Sequence, residues 1–195
     1  MSIAEKLQTI AENEQKVYNA GFEKGKSEGG DTETAYNNGF NDGKQVGSDE
    51  LLNVITNNKT NFSYLFCGKN ALVTAPILDT SEGIRFDFMF NACISLVEVP
   101  LINISKVRST VPNVGNMFTN CTKLVKITFE GIIPISISFA DCSKLNNDSI
   151  NSIITALKDL TGGTAQTLTL HNTVGSKLTD EQKAIITAKN WTLVY

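Results

Sequence analysis

Two stretches decide how this chain is read: Met89-Phe90-Asn91-Ala92-Cys93-Ile94-Ser95-Leu96-Val97-Glu98-Val99-Pro100 and Met117-Phe118-Thr119-Asn120-Cys121-Thr122-Lys123-Leu124-Val125-Lys126-Ile127-Thr128. In both, a cysteine follows the phenylalanine by three residues and a leucine by six, and a short β-type run follows the leucine. Moving outward, Ser138-Phe139 leads to Cys142 and Leu145, while Leu65-Phe66 leads to Leu72 with Lys69 in the cysteine place. Phe66, Phe90, Phe118 and Phe139 are therefore separated by 24, 28 and 21 residues. Self-similarity at about 20–30 residues is the signature of stacked repeats, in which no unit buries its apolar face alone. Phe, Cys and Leu at equivalent positions are expected to form three buried ladders along the stack. The chain is rich in Asn, Thr and Ser, which satisfy backbone groups in the irregular corners such units need.

The residues on either side differ in composition. Residues 1–50 carry 5 Lys against 10 Asp or Glu, and half of the 14 glycines lie there. The apolar β-branched residues thicken only after Leu51, which places a boundary near 48–52. Before it, Ile3, Leu7, Ile10, Val17 and Gly21 follow a seven-residue spacing with Phe22 beside them, and predict an amphipathic helix that docks or oligomerises. The run Tyr18-Asn19-Ala20-Gly21-Phe22-Glu23-Lys24-Gly25-Lys26 recurs as Tyr36-Asn37-Asn38-Gly39-Phe40-Asn41-Asp42-Gly43-Lys44, an offset of 18 residues or five helical turns. Its glycines, spaced by four, cost helix propensity and are expected to order only against a partner.

After the repeats, Asp148 is read as the N-cap of a helix over 149–160 with Ile150, Ile153, Ile154 and Leu157 on one face. The alternation of Gln166 to His171 predicts a strand. Thr179 to Gln182 has the form of a capping box opening a helix that reaches about Lys189. Trp191 to Tyr195 reads as a last strand that closes the core.

The repeat pattern resembles the BspA-type leucine-rich repeat, whose core is A-F-x-x-C-x-x-L followed by a short strand. Phe90, Cys93 and Leu96, then Phe118, Cys121 and Leu124, then Phe139, Cys142 and Leu145, match it over about residues 62–147. Met or Ser before the phenylalanine, and the uneven spacing, depart from it. The L-T-L-H … L-T-D-E-Q-K-A-I-I-T-A-K-N-W-T-L ending resembles the C-terminus of repeat proteins from bacteriophages and their hosts. The I-A-E-N-E-Q-K-V-Y-N-A-G-F-E-K-G opening is similar to the start of phage tail-associated proteins. The resemblance implies an α+β chain: a helical, glycine-punctuated oligomerisation or anchoring segment at 1–50, then at 51–195 a short leucine-rich-repeat β-solenoid with a helix–strand cap. It implies a virion part, a tail or baseplate appendage presenting the repeats to a bacterial surface receptor. Its partners would be other tail or baseplate proteins and copies of itself, a trimer by analogy with tail appendages. The alternatives are a purely structural spacer or plug of the virion and a BspA-like bacterial surface adhesin.

Chemistry is sparse. A net charge of -3 with a pI near 5.2 speaks against a nucleic-acid partner, and no apolar run reaches the ~18 residues of a membrane span. Met1 to Ala11 shows no continuous apolar core of a signal peptide. The four cysteines contain no C-x-x-C pair and read first as buried thiols; stacking could bring ladder cysteines together as a disulfide, and zinc ligation is the remaining alternative. The single histidine, His171, lacks a partner constellation, and Asp141, Asp148, Asp180 and Glu181 read as caps and turns. The glycines of 21–47 match no phosphate-binding loop. No catalytic, cofactor or metal site is expected. The outward positions Glu98, Lys126, Thr128 and Glu130 are the candidate ligand face.

Overall fold

In the computed structural model the described residues are 59–108 and 114–195, together with Glu12, Asn13, Lys16, Asn19, Ala20 and Glu23, which are helical. The chain divides into two units, Met1–Asn57 and Asn58–Tyr195. The heptad and anchoring residues Ile3, Leu7, Ile10, Val17, Gly21 and Phe22 lie outside the described residues, as does the second Y-N-x-G-F-x-x-G-K copy.

Successive repeats of the second unit lie side by side through stacked turns. The N–H groups of Phe62, Tyr64, Phe66 and Gly68 donate to the carbonyls of Arg85, Asp87, Met89 and Asn91. One repeat on, Phe88, Phe90 and Ala92 donate to Gly115, Met117 and Thr119, all at 2.8–3.1 Å. The alternate N–H groups, of Leu65, Cys67, Met89, Asn91 and Cys93, turn back three residues within their own segment. Every second amide thus ties two layers together and every other one closes a turn, which satisfies backbone that forms no strand. This geometry forces left-handed backbone at equivalent places: Tyr64, Phe88 and Asn116 at φ 61°, 58° and 52°, and Gly68, Ala92 and Asn120 at 72°, 60° and 61°. Three of the six are neither glycine nor asparagine, and these, Tyr64, Phe88 and Ala92, carry a steric penalty of about 1–2 kcal/mol each.

The side chains offset that strain. Phe66 stacks on Phe90, Phe90 on Phe118 and Phe118 on Phe139, with ring centroids 5.3, 5.8 and 5.3 Å apart and planes within 16° of parallel. Phe62 on Phe86 and Tyr64 on Phe88 make two shorter columns at 5.3 and 4.9 Å. Phe90, Phe118 and Phe139 are buried, as are Cys93, Cys121 and Cys142 and Leu96, Leu124 and Leu145. Phe66, in the first repeat, is half-buried.

After each leucine the chain extends. Val73, Val97 and Val125 line up across neighbouring repeats, with Val97 N–H donating to Val73 and Val125 N–H to Val97. Strands β1 (Glu98–Asn103) and β2 (Lys126–Glu130) pair in parallel there. The sheet stops at β2 because the next repeat supplies a helix, α1 (Asn147–Ala156), in the place of a strand. Its serines take over the strand's bonding. Ser149 Oγ accepts from Ile127 N–H and donates to the Val125 carbonyl, and Ser152 Oγ accepts from Phe129 N–H. On the other side, β3 (Ile137–Phe139), β4 (Gln166–Leu170) and β5 (Trp191–Val194) form a separate three-stranded parallel sheet in sequence order.

These two small sheets correct the expected leucine-rich-repeat β-solenoid. The fold is α+β, but its strands do not join into one sheet running the length of the repeats. The left-handed residues break strand geometry on one side, and α1 ends the sheet on the other. Three boundaries also move. Asn146, not Asp148, caps α1, its side chain accepting from Ser149 N–H, and the helix ends at Ala156 because Leu157 turns extended and bridges to Ile133. β4 stops at Leu170 because His171 becomes the N-cap of a short helix, α2 (Asn172–Gly175).

The last helix, α3 (Asp180–Ala188), opens with the reciprocal Thr179–Gln182 capping box that the sequence announces. It closes on Lys189, whose Nζ donates to the carbonyls of Ile154, Thr155 and Leu157 at 2.8–3.0 Å. One ammonium therefore satisfies the orphan carbonyls at the end of α1. Trp191 is buried and its Nε1 donates to the Lys158 carbonyl at 2.8 Å.

Candidate functional site

The four outward residues expected to form a ligand face fall on β1 and β2, where alternation sends Val99, Ile127 and Phe129 inward and their neighbours outward. Register puts Glu98 opposite Lys126 and Asn103 opposite Glu130. Lys126 Nζ donates to Glu98 Oε1 at 2.7 Å, and Asn103 Nδ2 donates to Glu130 Oε2 at 2.8 Å. The Glu98 carboxylate raises the Lys126 ammonium above its ordinary value, chiefly through that hydrogen bond. Thr128 sits between the two pairs, half-buried. The face is therefore a row of polar groups already matched to one another across the strands.

Asn103 is the member that reading the sequence missed. Its partner lies 27 residues away, and a β-bulge between Val99 and Ile102 shifts the register, so repeat spacing alone does not place it. The same asparagine shapes the corner after the face. Its Oδ1 accepts from Ser105 N–H, and its own N–H donates to the buried Thr80 Oγ1 at 2.7 Å. At the facing corner Gly131 has φ 95°, and a Cβ there would stand 2.6 Å from Ser105 N, so the close approach of these corners requires glycine.

The cysteines make a second repeated arrangement. Cys93, Cys121 and Cys142 point their Sγ at the carbonyls of Phe66, Phe90 and Phe118, at 3.0, 3.1 and 3.7 Å. Each thiol thus reaches the phenylalanine of the repeat before it. Burial, reinforced by the neighbouring thiols, pushes the Cys121 thiol up to about 12 and raises Cys142 as well. Burial raises Cys93 in the same direction. All four cysteines are free thiols, and the ladder three are held in the protonated, weakly nucleophilic form. Cys67, offset from the ladder, is half-buried beside Asn91.

The remaining titratable candidates act as caps. His171 Nδ1 accepts from Thr173 N–H at the start of α2. Asp141 Oδ2 accepts from the left-handed Asn120 at 2.8 Å. Asp148 lies in the first turn of α1, and Asp180 and Glu181 in that of α3, where carboxylates favour the helix dipole. Among the described residues, no three His, Cys, Asp or Glu side chains gather as a metal-ligand set. Among them, too, no helix is long and apolar enough to cross a membrane.

Comparison with protein-family models, curated proteins and solved structures finds no match to this chain.

Proposed function

We propose that this protein is a binding module of a bacteriophage tail or baseplate, one that presents a stiff, polar sheet face to a bacterial surface and performs no catalysis. The observation that carries the reading is the β1–β2 face, where Glu98 and Lys126, and Asn103 and Glu130, are fixed against one another at 2.7 and 2.8 Å. Polar groups held in place lose little freedom on contact, so a partner's hydrogen bonds are made at low entropic cost. The aromatic columns behind the face keep it rigid. The resemblance of the opening and closing segments to tail-associated and phage repeat proteins supplies the virion setting. Anchoring through 1–50, and self-association to a trimer, belong to the same proposal.

The test is binding of labelled full-length protein to a panel of intact bacterial strains, with T128R as the face variant. Saturable binding to a few strains, lost in T128R at unchanged melting temperature, supports the reading. Binding to no strain contradicts it and favours a structural spacer or plug in the virion. Equal binding by T128R moves the contact off this face.

A further inference from the structure

A hollow of about 300 Å³ opens where the turn after Cys142, the amino end of α1, α2 and the start of α3 come together. Its apolar floor is Leu145, Ile150, Val174 and Leu178, all buried. The polar wall is built. Gln182 is buried, accepts from Thr179 N–H, and donates to Asn147 Oδ1 and Asn151 Oδ1 at 3.0 and 2.8 Å. Thr173 Oγ1 donates to the Ser143 carbonyl at 3.0 Å and so ties α2 to the facing turn. The charged residues lining the hollow are two lysines, Lys144 and Lys177. Among the described residues neither takes part in an ion pair.

These features narrow the ligand. Two unpaired ammonium groups without a carboxylate beside them in the lining select an anion. A floor of aliphatic side chains selects a ligand with an apolar face, which a bare inorganic anion lacks. Gln182 and Thr173 are already bonded within the fold, and Ser143 Oγ and the Asn147 side-chain N–H, which donate to no group among the described residues, are left to meet a ligand's hydroxyl groups. The volume lies at the lower end of the ~300–1,000 Å³ range for small-molecule pockets and suits one ring. We propose that this hollow binds a single acidic monosaccharide, a pyranose bearing one carboxylate, with its C–H face on Leu145, Val174 and Leu178 and its carboxylate between Lys144 and Lys177. None of its residues belongs to the β1–β2 face, and its test uses no cells, so it stands or falls independently of the host-surface reading.

The experiment is titration of the full chain with sodium glucuronate, followed by calorimetry and by amide-shift mapping, with glucose and inorganic phosphate as parallel probes. Saturable millimolar binding of glucuronate is expected, with shifts centred on Val174, Lys177 and Leu178. Glucose should bind about tenfold more weakly, since it lacks the charge-assisted bonds. The double variant K144A/K177A, changed only at exposed positions, should lose about tenfold in glucuronate affinity while its melting temperature holds. Three results overturn the proposal: no saturable shifts at these residues, equal binding of glucose, or phosphate matching glucuronate in affinity and shifts, which would mean a bare cationic patch.

Discussion

The segment from 60 to 142 and the segment from 143 to 195 solve the same problem in opposite ways. The first stacks turns whose backbone is repeatedly left-handed, and holds them with columns of aromatic rings and thiols. The second uses regular helices and strands with side-chain caps: Asn146 on α1, Thr179 and Gln182 on α3, and Lys189 across the end of α1. One region is strained along the backbone and fixed through its core; the other confines left-handed backbone to Gly162 and Asn190, residue types that tolerate it, and is fixed at its ends. The difference teaches where each is vulnerable, to core truncation in the first and to loss of a cap in the second.

The largest effect is expected from Phe118→Ala. Phe118 is fully buried, stacks on Phe90 and Phe139, and meets Phe129 edge-on at 6.4 Å. Its truncation should cost about 3–5 kcal/mol in chemical denaturation, and a loss below about 1 kcal/mol would deny the column its structural role. Thiol chemistry gives the next contrast. A rise from 9.0 to about 12 leaves Cys121 with about a thousandfold less thiolate than an ordinary cysteine near neutral pH. A disulfide reagent should therefore modify Cys67 promptly and the ladder thiols only as the chain unfolds. The sign in alkali follows. Up to about 9 these thiols are protonated in both states, and above it the unfolded chain ionises first, so stability falls as pH rises toward 12.

Lys189→Met probes the other region. Removing three bonds to the end of α1 should cost about 2 kcal/mol, read by thermal melting, with α1 fraying before the rest. Smaller changes separate the two regions by sign. Ala92→Gly relieves a left-handed residue and should stabilise by about 1 kcal/mol. Asn190 is also left-handed, but its Nδ2 donates to the Leu160 and Gly163 carbonyls, so Asn190→Gly should destabilise by about 1 kcal/mol. The smallest effect belongs to two matching turns. Asp79 accepts from Ser81 and Asp159 from Thr161, through backbone N–H and hydroxyl alike. Those bonds hold both carboxyls below the ordinary 3.8. Their contribution is present above that value and fades as pH falls through the folded value, so a D79N/D159N variant should melt with a slightly flatter acid limb.

The columns were legible because Phe, Cys and Leu recur at fixed internal spacing, and such spacing survives uneven insertions between repeats. The caps of α3 were legible because capping is local: Thr179 and Gln182 are three residues apart. The break in the sheet was not. It depends on Ser149 and Ser152 reaching β2, a contact between residues more than twenty apart that looks in sequence like ordinary helix serines. The left-handed positions were hidden for a different reason. Tyr64, Phe88 and Ala92 are not turn formers, and only the columns they serve make their backbone affordable. On the candidate face, three of the paired residues were visible as outward positions, while the pairing itself required the register. The lysine-rimmed hollow draws on two stretches, 143–150 and 173–182, so no single stretch of sequence displays it.

The most direct measurement of the stacked-turn account is amide hydrogen exchange of the native chain. The amides of Phe66, Phe90 and Ala92, which bond from turn to turn, should exchange as slowly as those of Leu168 and Thr169 in β4. Exchange of the turn amides at the rate of an open loop, while β4 stays protected, would contradict it.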